Sequence, residues 1–270
     1  MTDPISSAGN PLVKRLRRLA QRRHRQAEQV CVVEGIQPIR QAHEAGWGID
    51  TLVVADALVR ADSAHAFVDL AERDGVRVVR LTAELFTRLS ERDGPTGLLA
   101  IVRTGDRSAS PPDRPAGAAT WVAVDRLGNP GNLGTILRTA DATGAAGVLL
   151  VGPTADPWDR ATIRASMGAV FSVPVTRLDD LAALRSWARE QDAQLVTTAA
   201  RAEHTLWDVD FAERVVLVLG SEQEGLDDDS LAEADLAVSI PMTGTAESLN
   251  LAQAATVLMY EVWRQRVAAD

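Results

Sequence analysis

The 270-residue chain has one cysteine, Cys31, so it forms no internal disulfide and builds no cysteine-based zinc site. Its four histidines are scattered and offer no metal-ligand spacing. No stretch approaches the roughly 18 uninterrupted apolar residues of a membrane span, and the opening MTDPISSAGNP lacks the apolar segment of a signal peptide. A reducing cytoplasm is the expected location. Lysine is nearly absent, with Lys14 alone beside 27 arginines. That bias reads as compositional, although the planar fork of arginine suits phosphate. There is no G-K-[ST] anywhere, which excludes a Walker-type phosphate loop.

Hydrophobic residues make up 46% and charged residues 24%, the balance of a globular chain with room for one large domain or two ordinary ones. The net charge of −9 argues against a protein that simply coats nucleic acid. The charge is uneven, however. Residues 1–103 hold 15 basic and 13 acidic side chains, or +2, whereas residues 119–270 hold 11 and 22, or −11. The first 30 residues carry seven basic side chains against Asp3 and Glu28.

The run TGDRSASPPDRPAGAA after Arg103 is poor in large apolar residues and marks a linker over 104–118, between a domain at 1–103 and another at 119–270. In the first domain, apolar runs at 52–55, 76–81 and 97–102 predict short strands, separated by helical patterns at 11–26, 36–45, 61–73 and 83–91. Beyond the linker, strands are expected at 121–125, 147–152, 194–198, 214–220 and 236–241, with helices at 132–143, 178–191 and 248–266. Continuous apolar strands suit burial on both faces, so the second domain reads as α/β with a mostly parallel sheet.

Three segments follow strand-like runs, where ligands collect in such sheets. In NPGNLGTILRTADATGA, residues 129–145, Gly131 and Gly134 allow close backbone approach, Asn132 is placed to cap a helix, and Arg138 follows. Taken alone this is an ordinary strand-to-helix turn. Glycines at 128, 131 and 134 do not make G-x-G-x-x-G, and no acidic residue ends the next strand, which weakens a dinucleotide reading. In LVLGSEQEGLDDD, residues 217–229, Glu222 is placed to orient a hydroxyl or amide. In SIPMTGTAESLNLAQAATVLMYEVW, residues 239–263, Ser248 is the expected helix N-cap, followed by an apolar stripe from Leu249 to Val262.

The order and residues of these segments together closely resemble the SpoU (TrmH-like) family of RNA ribose 2′-O-methyltransferases. ISSAGNPLVKRLRRLAQRRHR and VCVVEGIQPIRQA in the first domain resemble the substrate-binding domain that accompanies many members. The resemblance implies a trefoil-knotted domain of the SPOUT superfamily that binds S-adenosylmethionine and works as a homodimer, with the 248–266 helix as the contact. It implies catalytic roles for Asn132, Arg138, Glu222, Ser248 and Asn250. It implies cofactor contacts at Gly220, Ile240 and Leu249, with Leu219 and Met242 as neighbours, and it requires no metal. On this reading Arg138 grips a phosphate and polarises the 2′-hydroxyl, since a guanidinium with a pKa above about 12 is a poor general base. Asn132, Ser248 and Asn250 then position the pair, and Glu222 belongs to the site's architecture.

Lys14, Arg15, Arg17, Arg18, Arg22, Arg23 and Arg25 form a basic segment expected to contact RNA phosphates, and Arg164 in RASMGAV resembles a further family arginine near the active site. Ribosomal RNA is the favoured substrate. The alternatives are transfer RNA, a non-catalytic RNA-binding or ribosome-assembly factor, and a small-molecule methyltransferase, which would leave the basic arm without a purpose.

Overall fold

A computed structural model describes residues 3–105, 116–199, 202–221, 225–226, 233–246 and 248–269. The chain forms two compact units, Met1–Ser108 with Trp158–Ser172, and Ala109–Pro157 with Val173–Asp270. The excursion 158–172 thus belongs to the first unit although it lies far along the sequence.

In the first unit, α1 (Pro11–Arg18) starts where the Asn10 side chain accepts from the Leu12 amide at 2.9 Å and Pro11 presets the helical φ. The single helix expected over 11–26 is broken, with α2 spanning Arg22–Glu28. The break is held by Arg25, which is buried and donates to the carbonyls of Leu19 at 3.1 Å and Ala20 at 2.7 Å. Helical periodicity continues through 19–21, so the break was invisible without the buried guanidinium that satisfies those carbonyls.

There follow β1 (Val30–Glu34), α3 (Ile36–Glu44), β2 (Ile49–Val54), α4 (Asp62–Arg73), β3 (Arg77–Arg80), α5 (Ala83–Thr87) and β4 (Leu98–Arg103). The sheet order is β1-β4-β2-β3, antiparallel except for β2 on β3. Strand β1 was not among the expected strands. From the excursion, α7 (Arg160–Ala165) lies against β1, and Trp158 and Phe171 pack around Trp47 at ring separations of 5.1 and 5.5 Å.

The second unit contains β5 (Ala119–Asp125), α6 (Pro130–Ala142), β6 (Gly147–Val151), β7 (Val175–Leu178), α8 (Leu181–Glu190), β8 (Gln194–Thr198), β9 (His204–Thr205), β10 (Arg214–Leu219), β11 (Leu236–Ser239) and α9 (Leu251–Ala269). Every strand pairing in this sheet is parallel, in the order β7-β6-β5-β10-β8-β11-β9. Strands β5 and β6 are buried along their whole length, which explains their unbroken apolar runs. Trp121 and Trp187 meet edge to face at 5.2 Å in the core.

The sheet grows outward from β5 in one direction through β6 and β7, and from β10 in the other. A crevice is therefore expected at the carboxyl ends near this reversal. Among the described residues no helix is long and apolar enough to cross a membrane.

Candidate functional site

Parallel pairing places the carboxyl ends of β5, β8, β10 and β11 on one edge of the sheet. The segments that follow β5, β10 and β11 are the three singled out in the sequence. Gly220 follows β10, and a Cβ there would collide with the backbone of Gly225. Glycine thus permits the tight return in which Ser221 and Gly225 exchange backbone hydrogen bonds of 3.2 and 3.0 Å.

Around this turn lies a cleft of about 570 Å³. Leu219, Gly220, Ile240, Met242 and Leu249, the residues expected to contact a cofactor, all line it, and so do Ser248 and Asn250. Its wall also includes Thr198 and Ala199 at the end of β8, together with Val238 and Ala254. These four were missed, although the position of 198–199 after an apolar parallel strand was a usable signal. Glu222 lies outside the described residues.

Helix α6 is capped by Asn129, whose side chain accepts from the amides of Gly131 at 2.8 Å and Asn132 at 3.4 Å, with Pro130 at the first helical position. Asn132, expected to cap, instead sits inside the first turn, because proline fits at a helix start and the cap must precede it. Its side chain is thereby released toward α9. Asn250 Nδ2 donates to Asn132 Oδ1 at 3.3 Å.

Asn250 also corrects the expected cap of the last helix. Its Oδ1 accepts from the Ala252 amide at 2.9 Å, so α9 begins at Leu251 with Asn250 in the capping place and Ser248 on the cleft wall. The stripe of α9 is buried at Ala252, Ala255, Leu258, Met259 and Val262. Helices α6 and α9 meet at Thr139 and Thr256, whose hydroxyls are 3.0 Å apart. Arg138, next to Thr139, is exposed and has no hydrogen bond or ion pair among the described residues.

The basic segment divides. Arg15 is held at 2.7 Å by Glu28 and at 2.8 Å by Asp50. Burial works to lower its pKa, but these two partners override it and raise it further. Arg15 and buried Arg25 thus each commit donors to partners inside the unit. Lys14, Arg17, Arg18, Arg22 and Arg23 are exposed, Arg18 lying 3.6 Å from Glu28. Arg164 on α7 is 46% exposed and 3.8 Å from Glu91. Among the described residues no group of three His, Cys, Asp or Glu side chains could hold a metal ion.

The cleft is large enough for a nucleoside-sized ligand, and it joins apolar side chains to the polar backbone of strand ends and turns. The chain is 33% identical over 245 residues to a 23S rRNA (uridine(2479)-2′-O)-methyltransferase of Streptomyces viridochromogenes, covering 88% of this chain and 83% of the relative. It is 30% identical over 261 residues to the 23S rRNA (guanosine(2553)-2′-O)-methyltransferase RlmP of Bacillus subtilis, covering 96% and 98%. The crystal structure of an AdoMet-bound rRNA methyltransferase from Sinorhizobium meliloti superposes with a TM-score of 0.86 at 34% identity, covering 97% of each chain. Residues 10–100 match the MRM3-like substrate binding domain. Residues 119–260, which include every residue of the cleft, match the SpoU rRNA methylase family, and the chain belongs to that family.

Proposed function

We propose that this protein transfers a methyl group from S-adenosylmethionine to a ribose 2′-hydroxyl of ribosomal RNA. The observation that carries this reading is the Asn250–Asn132 bond, which links the cleft wall to the helix that presents Arg138. Leu219, Gly220, Ile240, Met242 and Leu249 hold the cofactor, whose sulfonium supplies an electrophilic methyl group. Ser248 and Asn250 orient it from the start of α9.

Transfer of this kind is mainly a matter of alignment and of easing loss of the hydroxyl proton. Arg138 grips the phosphate beside the target ribose and polarises the 2′-hydroxyl, while Asn132 fixes the pose. Glu222 is assigned to the site's architecture. Lys14, Arg17, Arg18, Arg22, Arg23 and Arg164 contact RNA phosphates. The second unit is read as trefoil-knotted, the protein as cytoplasmic, and its assembly as a homodimer.

The test is transfer of labelled methyl groups from S-adenosylmethionine to total RNA, separated into ribosomal and transfer pools and mapped by alkali-resistant linkages. Label at one ribosomal nucleotide is expected. Label confined to transfer RNA overturns the choice of substrate. No incorporation into naked RNA or assembled ribosomal subunits overturns the enzymatic reading in favour of a binding factor.

A further inference from the structure

In the first unit a small cleft is lined by Glu34, Arg92, Arg160, Ile163 and Arg164. Its one carboxylate, Glu34, and the nearby Glu91 both hold the same arginine. Arg160, only 12% exposed, is held by Glu34 at 2.8 Å and by Glu91 at 3.1 Å, and it donates to the Leu89 carbonyl at 3.1 Å. Glu34 is fixed in turn by the Ser90 hydroxyl and the Glu91 amide.

The other two guanidiniums keep their donors. Among the described residues Arg164 has only the second oxygen of Glu91 at 3.8 Å, beyond hydrogen-bond reach. The Arg92 side chain has no hydrogen bond or ion pair among the described residues. Its head is drawn toward the unit at Gly35, where a Cβ would lie 3.6 Å from Nη1. Gly168, three residues beyond α7, has φ +98°, and a Cβ there would sit 2.9 Å from the Pro38 Cα. That close approach seats the turn after Arg164 on α3.

The cleft offers about 10 Å³, room for little more than one water. A free metabolite does not fit inside, so an anion meets these arginines from the rim, as a group protruding from a larger polyanion does. Two neighbouring guanidinium forks match the oxygens of a phosphodiester. We propose that Arg92 and Arg164 clamp a backbone phosphate of the RNA substrate on this rim. Glu91 acts as the competing anion that the phosphate replaces at Arg164. The proposal rests on the RNA methyltransferase reading and adds Arg92 and Glu91, which lie outside the basic segment and the methyltransferase motifs.

The experiment measures binding of the full-length protein to a fluorescent ribosomal RNA fragment as a function of salt. Arg92→Ala is expected to weaken binding several-fold at low salt and to reduce the steepness of log K against log salt by about 0.7–0.9, one phosphate contact. Glu91→Gln is expected to tighten binding, a gain that misfolding does not produce. Arg88→Ala, which removes an exposed arginine paired with Glu84, serves as the control and leaves both quantities unchanged.

If wild type binds RNA and Arg92→Ala matches it in affinity and slope, the clamp is overturned while the functional reading stands. If wild type neither binds nor methylates RNA, both fall. Saturable, Arg92-dependent binding of micromolar inorganic phosphate that leaves RNA affinity and its salt slope unchanged at matched ionic strength assigns the site to a free anion and overturns the RNA clamp.

Discussion

Asn250 uses both ends of one amide: its oxygen caps α9 and its nitrogen reaches Asn132. Two substitutions separate these jobs. Asn250→Ser keeps a good capping oxygen on an arm too short for Asn132, so stability is expected to stay within about 0.5 kcal/mol while methyl transfer falls tenfold or more. Asn250→Ala loses both and is expected to cost about 1 kcal/mol as well. Equal activity of Asn250→Ser and wild type, with unfolding midpoints measured alongside, removes the Asn132 bond from the mechanism. Arg138→Ala deletes an exposed side chain that supports nothing else among the described residues. Transfer is expected to drop by at least about 100-fold with cofactor affinity nearly unchanged, measured by calorimetry beside the transfer assay. Retained activity removes Arg138 from catalysis. At Asp50, burial pushes the carboxyl pKa up from its ordinary 3.8, but Arg15, Thr51 and Arg103 together bring it below that value. A lowered folded-state value stabilises the protein above the ordinary value and is lost as pH falls through the folded one. The melting-temperature gap between wild type and Asp50→Asn is therefore expected to be full near neutrality and to close below about pH 4. A gap constant down to pH 2 contradicts this.

Helices α6 and α9 come from distant parts of the chain, and their register decides whether Asn132 meets Asn250. The Thr139–Thr256 hydroxyl pair sits in that contact, each hydroxyl also lying within reach of a carbonyl four residues back, at Thr135 and Ala252. A double-mutant cycle with Thr139→Val and Thr256→Val is expected to give a coupling of about 0.5–1 kcal/mol in unfolding, with slower transfer in each variant. Strictly additive effects refute the tie. The strands at 194–198 and 236–239 and the helix at 36–44 were legible because their period and bounding turn residues agree with their burial. Strands β7 and β9 were not expected, since four-residue VTRL and two-residue HT are too short to show a period. Both caps were misplaced within otherwise correct helices. Each helix start offers two candidate caps, Asn129 and Asn132 at α6 and Ser248 and Asn250 at α9, and only the backbone path selects the one whose oxygen faces the free amides.

At the scale of the whole molecule, the acidic second half and the basic first 30 residues divide the work. RNA affinity then depends on local arginines rather than on net charge. Helix α9 also leaves an aromatic face outward. Trp263 and Tyr260 are each 45% exposed, Val267 is 57% exposed, and Trp207 beside them is 66% exposed. A contiguous apolar patch of this kind marks a contact surface. Sedimentation at micromolar concentration is expected to give twice the 28.9 kDa chain mass, and Tyr260→Glu with Trp263→Glu is expected to give a folded monomer. A monomeric wild type refutes the dimer.

The sequence by itself determined the α/β class and the parallel second sheet, because both are written in short-range signals, period and turn residues; the cleft residues followed from the resemblance to the SpoU family. Leu219, Gly220, Ile240, Met242 and Leu249 all line one cleft, as their motif positions implied. Only the tertiary structure decided which polar groups spend their hydrogen bonds inside the protein. It committed Arg15 and Arg25 to internal partners, gave Asn129 and Asn250 the caps, and left Arg92 and Arg164 with donors to spare. A side chain's partner depends on where distant segments pack, and no local pattern in the chain records that distance.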